Sequence, residues 1–145
     1  MFAPGTSVHI VGVGGAGMSG VALLLAEMGC VVSGCDAADS PTLNELEAAG
    51  ITVFRGHDES HVRGVQVVLW SPAVAQENVE LVRARRSGAR LLSRGELLGE
   101  FAITKRVIGL TGTHGKTTAT SMMVCVSDVA GRDDARLLGA GVRGI

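Results

Sequence analysis

Two stretches of this chain are built alike: an apolar run, a glycine-rich turn, then a helix-forming segment. Residues 7–19 read SVHIVGVGGAGMS, and residues 106–118 read RVIGLTGTHGKTT. A short β-branched run that ends in glycines and turns into a helix is the opening of a βα unit, with a strand buried on both faces. Between the two stretches the rhythm continues. Strands are expected at 7–13, 30–35, 51–54, 65–70, 89–92 and 106–110. Helices are expected at 18–28, 41–49, 77–87, 94–101 and from 116 to about 130. Gly29, Gly50 and Gly88 fall where those helices should stop, at positions that favour a left-handed residue. Ser40-Pro41 reads as a capping hydroxyl followed by proline at the first helical position.

Strands that alternate with helices pair in parallel, through right-handed crossovers that place helices on both faces. The expected fold class is therefore α/β. Residues 1–104 form a doubly wound parallel sheet of Rossmann-like type, and 105–145 form the first strand–P-loop–helix unit of a second α/β ATPase domain. A chain of 145 residues, 46% hydrophobic and 19% charged, can bury a core of the size this requires.

Charge and cysteines narrow the function. A net charge of −1 leaves no electrostatic footprint for nucleic acid or an anionic membrane. Arg83, Arg85 and Arg86 read as the solvated face of a helix. The apolar run VALLLA is short and flanked by glycines, so it suits neither a signal peptide nor a membrane span. Cys30 and Cys35 are an odd number of residues apart on one strand and point to opposite faces. With Cys125 they show no metal-ligand spacing and read as reduced thiols of a cytoplasmic protein.

In the first loop, Gly12, Gly14 and Gly17 match G-x-G-x-x-G. The first glycine permits the tight turn, the second lets phosphates approach the backbone, and the third lets helix and strand pack closely. The helix N-terminus that follows favours an anion. A dinucleotide, another nucleotide, or glycines that serve packing alone all satisfy this pattern. Asp36, just after the second strand, is either a ribose-binding acid or a turn former.

The second loop departs from the strict P-loop pattern by one position, since Leu110 stands where the first glycine is due and Gly112 supplies the flexibility. The remainder holds. The loop Gly112, Thr113, His114, Gly115, Lys116, Thr117 and Thr118 can cradle phosphates of ATP. Lys116 can reach the β- and γ-phosphates, and the Thr117 hydroxyl can join Mg²⁺. His114 is either a phosphate contact or a tolerated loop residue. Met122, Cys125, Val126 and Val129 form one apolar face of the following helix and are expected in a core.

Taken together, GVGGAGMSG (12–20), Gly34-Cys35-Asp36, RGELL (94–98) and GTHGKTT (112–118) resemble the Mur ligases of peptidoglycan synthesis. The likeness covers nearly all of residues 7–131. GTHGKTT is shared by several members, whereas the GGAGM loop resembles the L-alanine-adding branch more than the murein-peptide recycling branch. The resemblance implies ATP-dependent acid–amino-acid ligation: the carboxylate of UDP-N-acetylmuramate is activated as an acyl phosphate, and the amine of L-alanine displaces phosphate. It implies that the first loop holds a UDP-sugar rather than NAD. The backbone of Gly14, Gly15, Ala16, Gly17 and Met18 would meet the diphosphate, Asp36 the uridine end, and Ser71 and Ala73 a further part of the substrate, with Gly12 also in the UDP-sugar site. Lys116 would be catalytic, with ATP and Mg²⁺ on the second loop.

Two departures bear on these roles. Ser71-Pro72-Ala73-Val74 stands where Ser-Ser-Ala-Ile is expected, and proline removes a backbone donor. Family members also carry the rest of an ATPase domain and a third, amino-acid-binding domain. On that basis the 145 residues alone are expected to bind UDP-sugar but to be catalytically incomplete. A stand-alone UDP-sugar-binding module with a vestigial P-loop is the alternative, and an NAD-dependent oxidoreductase a more distant one.

Overall fold

The computed structural model of the chain describes residues 2–15, 17–104, 108–110 and 113–131. Five strands, β1 Ser7–Val11, β2 Val31–Asp36, β3 Thr52–Arg55, β4 Val67–Trp70 and β5 Arg90–Ser93, form one sheet in the order β3-β2-β1-β4-β5. Every pairing is parallel. The helices are α1 Met18–Glu27, α2 Pro41–Ala48, α3 Val79–Ser87, α4 Arg94–Thr104 and α5 Lys116–Val129, with a one-turn 3₁₀ helix at Glu59–Val62. This is the doubly wound α/β sheet expected from the alternation of strands and helices.

The period-two alternation of the strands builds two cores. Val8, Ile10, Val32, Val67, Leu69 and Leu92 face one side, against Met18, Val21 and Leu25 of α1, Leu43 and Leu46 of α2 and Leu97 of α4. Val11, Cys35 and Val68 face the other, against Val62 of the 3₁₀ turn and Leu81 and Ala84 of α3. Cys30 and Cys35 lie in different cores, as their odd spacing requires. Gly34 packs tightly: a Cβ there would lie 2.7 Å from the Cβ of Val13.

Helix ends follow local chemistry. Gly29, Gly50 and Gly88 have φ of 83°, 83° and 76°, the left-handed stops expected of them. Asn78 accepts a hydrogen bond from the Glu80 amide (2.9 Å) and caps α3. Ser40 departs from expectation. Its backbone is extended, as an N-cap should be, but its side chain makes no capping hydrogen bond. The Leu43 amide donates to the Ser40 carbonyl instead (3.0 Å), so the helix start rests on proline and backbone alone.

The expected sixth strand, 106–110, does not form within the described residues. Residues 106 and 107 lie outside them, and 108–110 are exposed and carry no strand. A strand needs a neighbour to pair with, and β5 is the last strand of the sheet order on that side. The apolar face of α5 is likewise exposed rather than in a core: Met122, Val126 and Val129 all lie open, Val129 at 91%. Among the described residues no helix is long and apolar enough to cross a membrane.

Candidate functional site

From β1 the chain winds one way to β2 and β3, and later the other way to β4 and β5. The carboxyl ends of β1 and β4 therefore flank the topological switch point, where open α/β sheets place their ligand crevice. Three segments meet there: the first glycine loop, residues 71–74 after β4, and the start of α4 after β5.

The loop is anchored on β2. The amides of Gly12 and Val13 both donate to the Cys35 carbonyl, at 2.8 and 2.9 Å. Gly12 has φ 80°, which closes the turn, and a Cβ on it would lie 3.0 Å from Val74 and 3.1 Å from Ser71. The Asp36 carboxylate accepts from the Gly14 amide through Oδ2 (2.9 Å) and from the Ala38 amide through Oδ1 (3.0 Å). Of the two readings open to Asp36, the turn-forming one is therefore visible in the structure. Each carboxylate oxygen still has acceptor capacity for a ligand hydroxyl. The Gly15 and Met18 amides bond within the loop, to Gly12 and Gly15 carbonyls. Ala16 lies outside the described residues.

Gly17 has φ 80° and caps α1, whose first turn contains no acidic side chain. The third glycine of such loops is expected to let helix and strand approach. Here its open face is filled by Arg94, since a Cβ on Gly17 would lie 2.5 Å from Arg94 Nη1. The close approach between elements falls to Gly34 instead. A guanidinium beside a helix N-terminus makes an anion-favouring corner, combining a planar donor fork with the positive end of the helix dipole.

Arg94 is held there by a device legible in the sequence Ser93-Arg94-Gly95-Glu96. The Ser93 amide donates to Glu96 Oε2 (2.6 Å), and the Glu96 amide donates to Ser93 Oγ (3.3 Å). This reciprocal pair is a capping box, and it fixes Arg94 at the first turn of α4. Hydrogen bonds from the Ser93 amide, then from its hydroxyl, hold the Glu96 carboxyl below its ordinary range. Sequence reading assigned Arg94 no role. The S-x-x-E signature around it was the available signal.

Ser71 sits at the far wall. Its amide donates to the Val11 carbonyl (3.1 Å), and its Oγ accepts from the Ala73 amide at 3.4 Å. The turn over Pro72 closes with the Val74 amide on the Ser71 carbonyl (2.9 Å). Proline at 72 therefore fits a turn that needs no donor there. Ser71 borders the loop, with Oγ 3.8 Å from a Cβ position on Gly15, while Ala73 is exposed.

The second glycine loop is described from Thr113 onward; Gly112 lies outside the described residues. Gly115 has φ 75° and leads directly into the 14-residue α5. Lys116 Nζ donates to the Thr113 carbonyl (3.3 Å), so the lysine head folds back over its own loop. His114, Thr117 and Thr118 are exposed at this helix start. The arrangement offers a lysine, hydroxyls and first-turn amides at one helix N-terminus, a set suited to polyphosphate.

Comparison with known proteins places these features in a lineage. Residues 7–106 match the model of the Mur ligase family, catalytic domain. The chain is 42% identical over 131 residues to a UDP-N-acetylmuramate–L-alanine ligase of Hydrogenobaculum sp., covering 90% of this chain and 29% of that protein. It is 47% identical over 133 residues to the enzyme of the same name from Symbiobacterium thermophilum, covering 91% of this chain and 27% of that one. Among solved structures it resembles a UDP-N-acetylmuramate–alanine ligase from Thermotoga maritima (TM-score 0.79, 32% identity, 84% of this chain and 29% of that one). It resembles a murein peptide ligase from Psychrobacter arcticus to the same degree (TM-score 0.80, 32% identity, 88% and 27%). The chain thus spans less than a third of the length of these relatives.

Proposed function

Because this chain belongs to the Mur ligase family, we propose that its switch-point crevice binds the UDP portion of UDP-N-acetylmuramate. Residues 105–145 then begin the ATP-binding domain that serves ligation of L-alanine to the sugar's carboxylate. The observation that carries the reading is the meeting of Arg94 with Gly17 at the N-terminus of α1. A diphosphate is the kind of anion that a guanidinium and a helix N-terminus favour together.

Each residue has a part in this reading. Gly12, Gly14 and Gly15 keep the loop low, so that the diphosphate meets backbone rather than side chains; Ala16, Gly17 and Met18 complete the approach to α1. Arg94 forks onto diphosphate oxygens. Asp36 holds Gly14 in place and offers its remaining acceptor capacity to the uridine end. Ser71 presents a hydroxyl and Ala73 backbone at the opposite wall.

The second loop fits ATP and Mg²⁺ by the chemistry of its donors. Lys116 supplies a point charge for the β- and γ-phosphates, and Thr117 offers one hydroxyl oxygen of the kind Mg²⁺ takes. When bound, ATP supplies the phosphoryl group that turns the sugar carboxylate into an acyl phosphate open to the amine of L-alanine. Lys116 would leave Thr113 and neutralise charge on the transferring group, while His114, Gly115 and Thr118 line the phosphates. The relatives' greater length makes this a contribution to a larger catalytic unit. The cytoplasm is the compartment that suits such chemistry and the three unpaired thiols.

Calorimetric titration of the chain with UDP-N-acetylmuramate, with NADH run in parallel, tests the reading. Heat of binding from the UDP-sugar alone supports it. Heat from NADH alone, or from neither ligand in a chain shown to be folded, overturns it.

A further inference from the structure

The sheet face opposite α1 carries a polar cluster that neither glycine loop uses. Alternation places His9 of β1, Cys35 of β2 and Phe54 of β3 on that face, and their strands lie side by side. Helix α3 lowers Glu80 onto them, and the 3₁₀ turn brings in His61. His9 and Glu80 are both 0% exposed. Glu80 Oε1 lies 2.7 Å from His61 Nδ1 and 3.5 Å from His9 Nε2; Oε2 lies 2.9 Å from Cys35 Sγ and 2.8 Å from His57 Nδ1. One donor atom from each of His9, Cys35, His61 and Glu80 falls within 4.8 Å of the others.

An ionisable group buried in a helix that otherwise packs leucine and alanine needs a reason. Burial opposes the Glu80 charge, but contacts from His9, Cys35, His61 and His57 outweigh it and bring the carboxyl down to about 2. Burial first, then the hydrogen bond to Glu80, pushes the Cys35 thiol well up. One contact is loose: His9 Nε2 is buried and faces Glu80 Oε1 at 3.5 Å, outside hydrogen-bond geometry. Its other nitrogen is occupied, with Nδ1 2.9 Å from Ser33 Oγ.

We propose that His9, Cys35, His61 and Glu80 form a binding site for a divalent transition metal of the zinc class. Two imidazoles, a thiolate and a carboxylate are a donor set for zinc or cobalt and not for magnesium or calcium. A thiolate and a carboxylate together cancel the charge of a divalent ion, so the loaded site is neutral in a buried setting. Tetrahedral coordination at zinc bond lengths sets donor atoms roughly 3.3–3.6 Å apart. The separations here, from 2.7 Å up to the 4.8 Å limit, bracket that range. Outer contacts of the kind that orient metal ligands are already present. Ser33 holds the His9 ring, Phe54 stacks on His61 at 4.1 Å and 11°, and His57, a quarter exposed, lies against Glu80 Oε2.

On binding, the sulfur–hydrogen bond of Cys35 breaks, a sulfur–metal bond forms, and the proton leaves to solvent with no change in oxidation state. The consequence is positional. The Cys35 carbonyl holds the Gly12 and Val13 amides, and the next residue, Asp36, holds Gly14. A metal on Cys35 would stiffen the strand end on which the first glycine loop is seated.

The test is cobalt titration of the full chain, stripped of metal by chelator under reducing conditions and without nucleotide. The expected result is one cobalt per chain, with a near-ultraviolet sulfur-to-cobalt charge-transfer band and visible bands of four-coordinate intensity, all displaced by zinc. The band persists in Cys30→Ser and Cys125→Ser and is lost in Cys35→Ser. His61→Ala weakens cobalt binding at least ~10-fold. Absence of the band in the wild-type chain at large cobalt excess overturns the proposal and leaves a metal-free hydrogen-bonded network. A band unchanged in Cys35→Ser, or lost in Cys125→Ser, overturns it equally. If Cys35→Ser does not fold, as judged by circular dichroism, an unaltered cobalt affinity in His61→Ala overturns it.

Discussion

Gly34 in the middle of β2 gives the sharpest test of how the glycine loop is supported. Its missing side chain is the space into which Val13 packs, just before the loop. In Gly34→Ala the added Cβ would lie 2.7 Å from Val13 Cβ, 2.9 Å from Val13 Cγ2 and 3.0 Å from the Ile10 carbonyl oxygen. None of these can swing aside, since two belong to a stiff β-branched side chain that is fully buried and the third is backbone in β1. Overpacking of this kind costs about 1–3 kcal/mol. Replacing a strand glycine returns about 0.5–1 kcal/mol of chain entropy. The contacts of 2.7 and 2.9 Å put the cost in the upper half of that range, so the net expectation is a loss of about 1–2.5 kcal/mol. With a urea slope of about 2 kcal/mol/M, the middle of the usual range, the unfolding midpoint should fall by about 0.5–1.3 M.

The control is Gly99→Ala in α4, where nothing lies within 4 Å of the new Cβ and φ is not positive. There the same substitution should raise stability by about 0.5–1 kcal/mol. Urea unfolding followed by far-ultraviolet circular dichroism reads both variants. If Gly34→Ala matches the wild type, or if the two variants move together, the argument from close packing beneath the loop is wrong.

Arg94→Ala should weaken UDP-N-acetylmuramate binding by about 10–100-fold, the worth of a charge-assisted hydrogen bond, without altering far-ultraviolet dichroism; unchanged affinity by calorimetry would remove Arg94 from the site. Lys116→Ala should leave UDP-sugar affinity within about 2-fold, the order of a ±0.5 kcal/mol surface change, because the lysine serves the other loop; a large loss would contradict the separation of the two ligands. The Glu96 carboxyl, held below its ordinary range, favours the folded cap above the unfolded pKa and loses that advantage as pH falls through the folded value. Thermal melts below about pH 4.5 should therefore show a shallower acid decline in Glu96→Gln than in the wild type; parallel curves would refute the role given to the capping box.

Much of the fold and part of the site could be read from residue order because the forces involved are local. Period-two alternation fixed which face each strand residue takes, and it predicted the separation of Cys30 from Cys35. Gly29, Gly50 and Gly88 end their helices with positive φ, a turn decided by the residue and its near neighbours in the chain. The G-x-G-x-x-G loop, Asp36 and the GTHGKTT segment were visible for the same reason. Ser40 was misjudged because a capping hydroxyl competes with a backbone carbonyl, and the sequence does not say which wins. The stretch 106–110 has the composition of a strand, but pairing is a tertiary event. Among the described residues no partner strand lies beside 108–110.

What only the tertiary structure decided is which distant residues share a place. Arg94 comes 77 positions after Gly17, and only the order β3-β2-β1-β4-β5 carries the end of β5 round to the start of α1. His9, Cys35, His61 and Glu80 carry no ligand spacing along the chain, and they converge because three parallel strands and two crossovers bring them to one face. Spacing along the chain is set by local geometry and is legible one segment at a time. Convergence depends on strand order and crossover hand, and these are fixed only when all the segments bury their apolar faces together.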